Sequence, residues 1–129
     1  QDNAWRTYGL DRIQQLILLP EQTFRREPVD IDEKFRSYIG VNGSGEKIDL
    51  EVLFRPNMGQ FIKRNKLHPN QRVIREDEDG VLIRLQTRVN NELYLTLMKY
   101  ARHMTIQAPN SLREVFADMV KKILERYRT

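Results

Sequence analysis

"QRVIREDEDGVLIRLQTRV", Gln71 to Val89, reads as a β-hairpin: two apolar-polar arms flank "EDG", a turn-forming sequence. In the second arm Val81, Ile83, Leu85 and Val89 fall on one side. Leu82, Arg84, Gln86 and Arg88 fall on the other. Alternation with a period of two buries one face of a strand and leaves the second face polar. Upstream, "KIDLEVLF" (Lys47 to Phe54) alternates in the same way. Ile48, Leu50, Val52 and Phe54 point together, opposite Asp49 and Glu51. Between these two segments Pro56 and Asn57 open a helical stretch, "NMGQFIKRNKLH", which the sequence carries to a stop at Pro69.

Downstream of the hairpin, Asn90 is placed to cap a helix running to about Arg102. Leu93, Tyr94, Leu97, Met98 and Ala101 recur there at three-and-four spacing. "MTIQA" follows as a fourth short strand. In the last segment Ser111 and Glu114 have the spacing of a capping box. Leu112, Val115, Phe116, Met119, Val120, Ile123, Leu124 and Tyr127 then trace one apolar stripe. From Lys47 the predicted order is β-α-β-β-α-β and then a helix. That order predicts an α+β fold: a ferredoxin-like βαββαβ plait, an antiparallel sheet covered by helices on one side, with an extra C-terminal helix.

The region before Lys47 reads differently. Residues 5 to 19 have the alternation of an extended strand. Arg6, Tyr8, Leu10 and Arg12 lie on one face and Trp5, Thr7, Gly9, Asp11 and Ile13 on the other. The apolar run Leu16 to Leu19 continues this strand until Pro20 stops it. "PEQTFRREP" is a polar linker bounded by prolines. "VDIDEKFRSYIG" fits a short helix, with Asp30 at the N-cap, Asp32 and Glu33 in the first turn and Gly40 at the stop. "VNGSG", residues 41 to 45, marks a boundary.

Composition narrows the chemistry. The chain has 129 residues, a formal charge of +4 and no cysteine, so disulfides and thiolate metal sites are excluded. No apolar run approaches the ~20 residues that span a bilayer, and no signal-like segment opens the chain. His68 and His103 have no ligand-spaced partner and no nucleophile in sequence reach. His68 beside Pro69 reads as a turn residue. The acidic "EDEDG" lacks the ligand alternation and distal glutamate of a calcium loop. "NGSG" lacks the lysine of a phosphate loop. "FRPNMG" offers Arg55 but not the glycine-rich anion cradle that acylphosphatase chemistry requires. The sequence therefore predicts a non-enzyme with no cofactor and no metal.

Binding chemistry falls to the arginines. Arg6 and Arg12, with Tyr8 between them, form an arrangement able to clamp a phosphate while a ring stacks on a base. Arg84 and Arg88 project from the sheet face away from the helices. In a plait that face is either open to solvent or docked on a neighbour, and Leu53 and Leu82 beside the arginines point to docking.

These residues resemble a known family. "RTYGLDRI", with Arg6, Tyr8, Leu10, Asp11, Arg12 and Ile13, resembles the final strand of the WYL domain, the Sm-like barrel of bacterial transcriptional regulators. Gly9 stands where that strand usually has a basic residue. The remainder resembles the C-terminal extension of such proteins, the WCX domain. The matching features are Phe54, "HPNQ" (His68 to Gln71), Asp79-Gly80, "NEL" (Asn91 to Leu93), and Pro109 followed by Leu112-Arg113-Glu114. The resemblance implies three segments. Residues 1–20 would be the last strand of a WYL domain, 21–45 a linker with a short helix, and 46–129 a WCX-like plait. It further implies a cytoplasmic regulator whose DNA-binding helix-turn-helix lies in an absent N-terminal part. The WYL strand would face a nucleic-acid or nucleotide effector, and the extension would assist homodimer formation, with no membrane partner. An ACT-like small-molecule regulatory domain shares the plait and is the alternative. The preceding barrel strand separates the two, because an ACT-like module has no use for it.

Overall fold

The structure is a computed structural model that describes residues 8–25, 28, 30 and 45–128. Its elements are β1 (Lys47–Phe54), α1 (Pro56–Arg64), β2 (Arg72–Asp77), β3 (Gly80–Arg88), α2 (Asn91–Tyr100), β4 (Met104–Ala108) and α3 (Asn110–Tyr127). The sheet order is β2-β3-β1-β4, with each neighbouring pair antiparallel. The α1 crossover from β1 to β2 skips β3, and the α2 crossover from β3 to β4 skips β1. This is the predicted plait with its additional C-terminal helix.

Its core grows from the two central strands. Leu50 lies opposite Leu85, Val52 opposite Ile83 and Phe54 opposite Val81, and all six are buried. Helix α1 adds Ile62, α2 adds Leu93 and Leu97, β4 adds Ile106, and Leu112 at the start of α3 closes the cluster. Removing such side chains from water is the main favourable contribution to folding, about 1.5–3 kcal/mol for each large aliphatic residue. Thr87 occupies the same inward row, fully buried between Leu85 and the half-buried Val89. Its hydroxyl has no hydrogen-bond partner among the described residues.

Two glycines set how closely the layers meet. A Cβ on Gly59 of α1 would lie 2.5 Å from Val81 Cγ2, so the helix rests on β3 with no room for a methyl group. Gly80 follows the two-residue turn Glu78-Asp79 and has φ +136°. A Cβ there would stand 1.9 Å from the Phe54 carbonyl oxygen. The turn is held by Asp77, whose Oδ1 accepts from Asp79 N–H at 3.0 Å.

Helix α1 stops at Arg64 and does not continue to His68. Asn65 leaves the helical region and its side-chain amide donates to Phe61 O at 3.1 Å. Gln71 then supplies what a further turn would have supplied. Its amide donates to Ile62 O at 3.0 Å and its oxygen accepts from Leu67 N–H at 2.9 Å. His68 Nδ1 accepts from Asn70 N–H at 3.2 Å, and Asn70 Nδ2 donates to Gln86 O at 3.0 Å. "HPNQ" is thus a closed turn whose Gln71 satisfies Ile62 O, one of the four carbonyls that the C-terminal end of a helix leaves unpaired.

Asn90 caps α2 as predicted, accepting from Leu93 N–H at 2.9 Å. The regular helix ends at Tyr100, and Ala101–His103 form a 3-10 turn. The capping box at Ser111 is not formed. Pro109 holds the extended N-cap position, so α3 begins at Asn110 and Ser111 already lies inside it. Glu114 accepts instead from Asn110 Nδ2 at 2.9 Å.

The strand expected over residues 5 to 19 does not form across its described part, which starts at Tyr8. Leu10–Arg12 make a 3-10 turn, and residues 13 to 19 belong to no ladder. A strand is stabilised by pairing, and among the described residues no neighbouring strand pairs with these. Leu16 and Leu18 are exposed. Trp5 to Thr7 lie outside the described residues, as does the helix expected over 29 to 40, Asp30 excepted.

Two substitutions test this packing. Thr87→Val keeps the shape and removes the unpaired hydroxyl, so it should stabilise the fold by about 1 kcal/mol in urea unfolding. Gly59→Ala should destabilise by about 1–3 kcal/mol, although alanine is the better helix former, because the stiff Val81 side chain has no way to retreat. Pairing it with Val81→Ala should recover part of the overpacking loss in a double-mutant cycle.

Candidate interaction surface on the open face of the sheet

The alternation that builds the core also builds the opposite face. Asp49, Glu51 and Leu53 of β1 and Leu82, Arg84, Gln86 and Arg88 of β3 point away from α1 and α2. The register places Leu53 directly opposite Leu82, both half-buried. Glu51 lies opposite Arg84, and Arg84 Nε donates to Glu51 Oε1 at 2.9 Å, with Nη2 on the same oxygen. Arg88 Nη1 donates to Gly45 O at 2.9 Å. All four residues predicted for docking therefore share one continuous surface.

Strand β2 contributes two arginines that the sequence reading missed. Arg72 lies opposite Arg84 and Arg75 opposite Leu82. The register shifts between Val73 and Arg75, with Ile74 as the extra residue. One inserted residue reverses which side chains face which way. It turns Arg75 to the open face and Glu76 to the helix side, where Gln60 Nε2 at 2.7 Å and Lys63 Nζ at 2.8 Å donate to its carboxylate. Strict alternation from Arg72 would have put Arg75 on the wrong side.

A shallow hollow of about 250 Å³ lies in this face, with Asp49, Asn70, Arg72, Arg84 and Gln86 around it. Beyond the hollow, the same face carries the half-buried pair Leu53 and Leu82 with arginines and carboxylates around it, a composition that suits a protein contact. Guanidinium groups on a rigid sheet also suit carboxylate or phosphate partners.

The remaining candidates are dispersed. Arg6 lies outside the described residues. Tyr8 is exposed, and Arg12 sits in the 3-10 turn, its backbone N–H donating to Gly9 O at 3.1 Å. That turn interrupts the alternation that would align Tyr8 with Arg12. His68 is buried in its turn, as its place beside Pro69 implied. The His103 carbonyl accepts from Arg55 N–H at 2.8 Å, and both residues line a cleft of about 540 Å³ with Asn57, Met58 and Phe61. The acidic turn is occupied structurally, with Asp77 also paired to Arg75 at 2.8 Å. Among the described residues no cluster of three or more His, Asp or Glu side chains is arranged to hold a metal ion. No described helix is long and apolar enough to cross a membrane.

A family model described as the WCX domain matches residues 46–124. The chain belongs to the WCX domain family. The matched span begins one residue before β1 and ends within α3, so the WCX domain contains the whole sheet and its open face. No curated protein matches the chain.

The electrostatic tie between the layers gives a pH-dependent expectation. Hydrogen bonds from Lys63 and then Gln60, with the lysine charge beside them, hold the Glu76 carboxyl below the ordinary glutamate value. A lowered carboxyl pKa contributes stability above its unfolded-state value, and that contribution is lost as the pH falls through the folded-state value. In an NMR titration, Lys63→Met should therefore move the Glu76 midpoint upward and flatten the acid-side loss of stability. An unchanged midpoint would show that the bond is not formed in solution.

Proposed function

We infer that this chain is the C-terminal region of a bacterial WYL-type transcriptional regulator, a cytoplasmic, non-enzymatic unit that couples effector sensing to assembly. The observation that carries this reading is the WCX match over residues 46–124, joined to the WYL-like strand sequence Arg6 to Ile13 upstream of it. WCX domains accompany WYL regulators, whereas an ACT-like module has no such preceding segment. DNA recognition belongs, in this reading, to a helix-turn-helix in another part of the regulator.

The roles divide between two groups of arginines. Arg6, Tyr8 and Arg12 take the effector, a nucleic acid or nucleotide whose phosphate meets a guanidinium and whose base stacks on the ring. Arg84, Arg88, Leu53 and Leu82 form the face on which a neighbouring domain docks and through which effector occupancy is transmitted. The polar rim and small apolar centre of that face support a contact that forms and releases.

Fluorescence titration of the intact regulator with oligonucleotides and nucleotides tests the division. Arg12→Ala should weaken effector binding by about 1.5–3 kcal/mol, the range for loss of a charge-assisted hydrogen bond, without lowering the unfolding midpoint. The Arg84→Ala/Arg88→Ala variant should keep its effector affinity and lose the effector's influence on DNA binding. The reverse pattern would place the effector on the WCX domain.

A further inference from the structure

Arg72 and Arg84 stand directly opposite each other on β2 and β3, both on the open face of the sheet. Like charges at directly opposed positions of an antiparallel pair repel and destabilise the ladder. Here only one of the two is compensated. Arg84 gives both Nε and Nη2 to the same oxygen of Glu51, on its β1 side. Its Nη1 and the whole guanidinium of Arg72 have no hydrogen-bond or ion-pair partner among the described residues. Both arginines line the hollow of about 250 Å³, and so does Gln86. Asn70 Nδ2 donates to the Gln86 carbonyl at 3.0 Å, which fixes the residues leading into β2 against β3. The β2 side of the face therefore holds a cationic notch that no described residue neutralises.

The surroundings decide which anion fits. Asp49, opposite Gln86, closes the β1 side of the hollow, and Glu51 stands next to it on that strand. A doubly charged phosphate would face both of these carboxylates. A single carboxylate approaching from the β2 side meets Arg72 and the free edge of Arg84. The hollow is also smaller than the roughly 300–1,000 Å³ of pockets that enclose a small molecule. An exposed ion pair alone contributes little to binding, so the contact needs apolar cover beside it. That cover lies on the same face. Leu53 and Leu82 are opposite each other, and Leu82 precedes Arg84 by two residues on β3, roughly 7 Å along the strand. Any extended segment presents its side chains on one face at the same interval. Arg75, opposite Leu82, is already paired with Asp77 and leaves the notch to Arg72.

We propose that Arg72 and Arg84 receive an aspartate or glutamate side chain from a partner protein, carried on an extended segment whose apolar residue, two positions away, covers Leu53 and Leu82. This rests on the reading of the open face as a docking surface. It adds to that reading the chemistry of what docks, and it makes Arg72 the residue that selects the partner's charge.

NMR titration of the 129-residue chain with the peptide acetyl-Thr-Leu-Thr-Glu-Thr-Ser-amide tests this, read at the arginine Nε–H signals and at constant ionic strength. Binding should be saturable and move the Arg72 and Arg84 signals. Its Kd should be about 1–10 mM, the range for a short segment that must be ordered on binding. Changing the peptide's glutamate to glutamine should weaken binding at least about fivefold, and Arg72→Gln should do the same. The two losses should not add, because each removes the same contact. Glu51→Gln should tighten binding, since the Arg84 guanidinium then has no competing carboxylate. Arg113→Gln, an equal change of net charge placed on α3, should leave the affinity unchanged. Thermal unfolding should show no loss of stability in Arg72→Gln, which relieves the repulsion from Arg84.

Full affinity in Arg72→Gln, or equal binding of the glutamine peptide, overturns the proposal. An equal loss in Arg113→Gln also overturns it, by reducing the effect to net charge. Displacement of the peptide by inorganic phosphate at a lower concentration than by acetate gives the notch to a phosphate ligand and overturns the carboxylate assignment. None of these results decides the regulatory reading. The peptide can fail to bind while Arg84→Ala/Arg88→Ala still uncouples effector from DNA, and that uncoupling can fail while the peptide binds as expected.

Discussion

Phe54 and Gly80 meet where three strands converge, and the space between them admits only a hydrogen atom on the Gly80 Cα. The Phe54 carbonyl would stand 1.9 Å from a Cβ at Gly80. Phe54 is also the last residue of β1, paired with Val81 on one side and Met104 on the other. Its ring is fully buried and meets Tyr100 of α2 edge-on, with centroids 6.0 Å apart. One residue thus ties the hairpin turn, both neighbouring strands and the second helix. Because β3 starts tight against the end of β1, the two strands stay in register along their whole length. That register buries Leu50, Val52, Ile83 and Leu85 together.

From this central pair the surfaces acquire different characters. The helix side is filled: Gly59 brings α1 against Val81, and Lys63 and Gln60 reach across to Glu76. The open side is polar around a half-buried leucine pair, and its ion pair and backbone hydrogen bond hold Arg84 and Arg88 in place. Exposed ion pairs of this kind contribute little to stability, about 0–1 kcal/mol. Their arrangement matters more for orienting a contact than for holding the domain together. Helix α3 joins the core at Leu112 and Phe116 and keeps Met119 and Ile123 half-buried, while Val115, Val120, Leu124 and Tyr127 are exposed.

How much of this was legible depended on how local the cause was. The inward rows of β1 and β3 follow from a period of two that any sheet partner would respect. The Asn90 cap follows from one side chain and a backbone three residues away. "EDG" fixed the hairpin because a two-residue turn followed by glycine at positive φ has few alternatives. The family resemblance was visible for a related reason: "HPNQ" and Gly80 meet local geometric demands that few other residues meet. The leucine pair on the open face was legible too, since faces follow directly from alternation.

What only the tertiary structure decided came from distance or from competition. The end of α1 was set by Gln71, a residue beyond the helix whose amide reaches back to Ile62. The capping box at Ser111 was displaced because Pro109 already held the N-cap position. Arg75 joined the open face because one extra residue at Ile74 reversed the alternation of β2, and no spacing rule announces a bulge. The strand sequence from Tyr8 to Leu19 forms no ladder among the described residues, since a ladder requires a neighbour and a strand sequence specifies only readiness for one. The sequence alone determined which side of each element is apolar. Whether that side is covered is a property of what lies opposite: on α3 Leu112 is buried and Met119 and Ile123 are half-buried, while Val115, Val120 and Leu124 stay exposed.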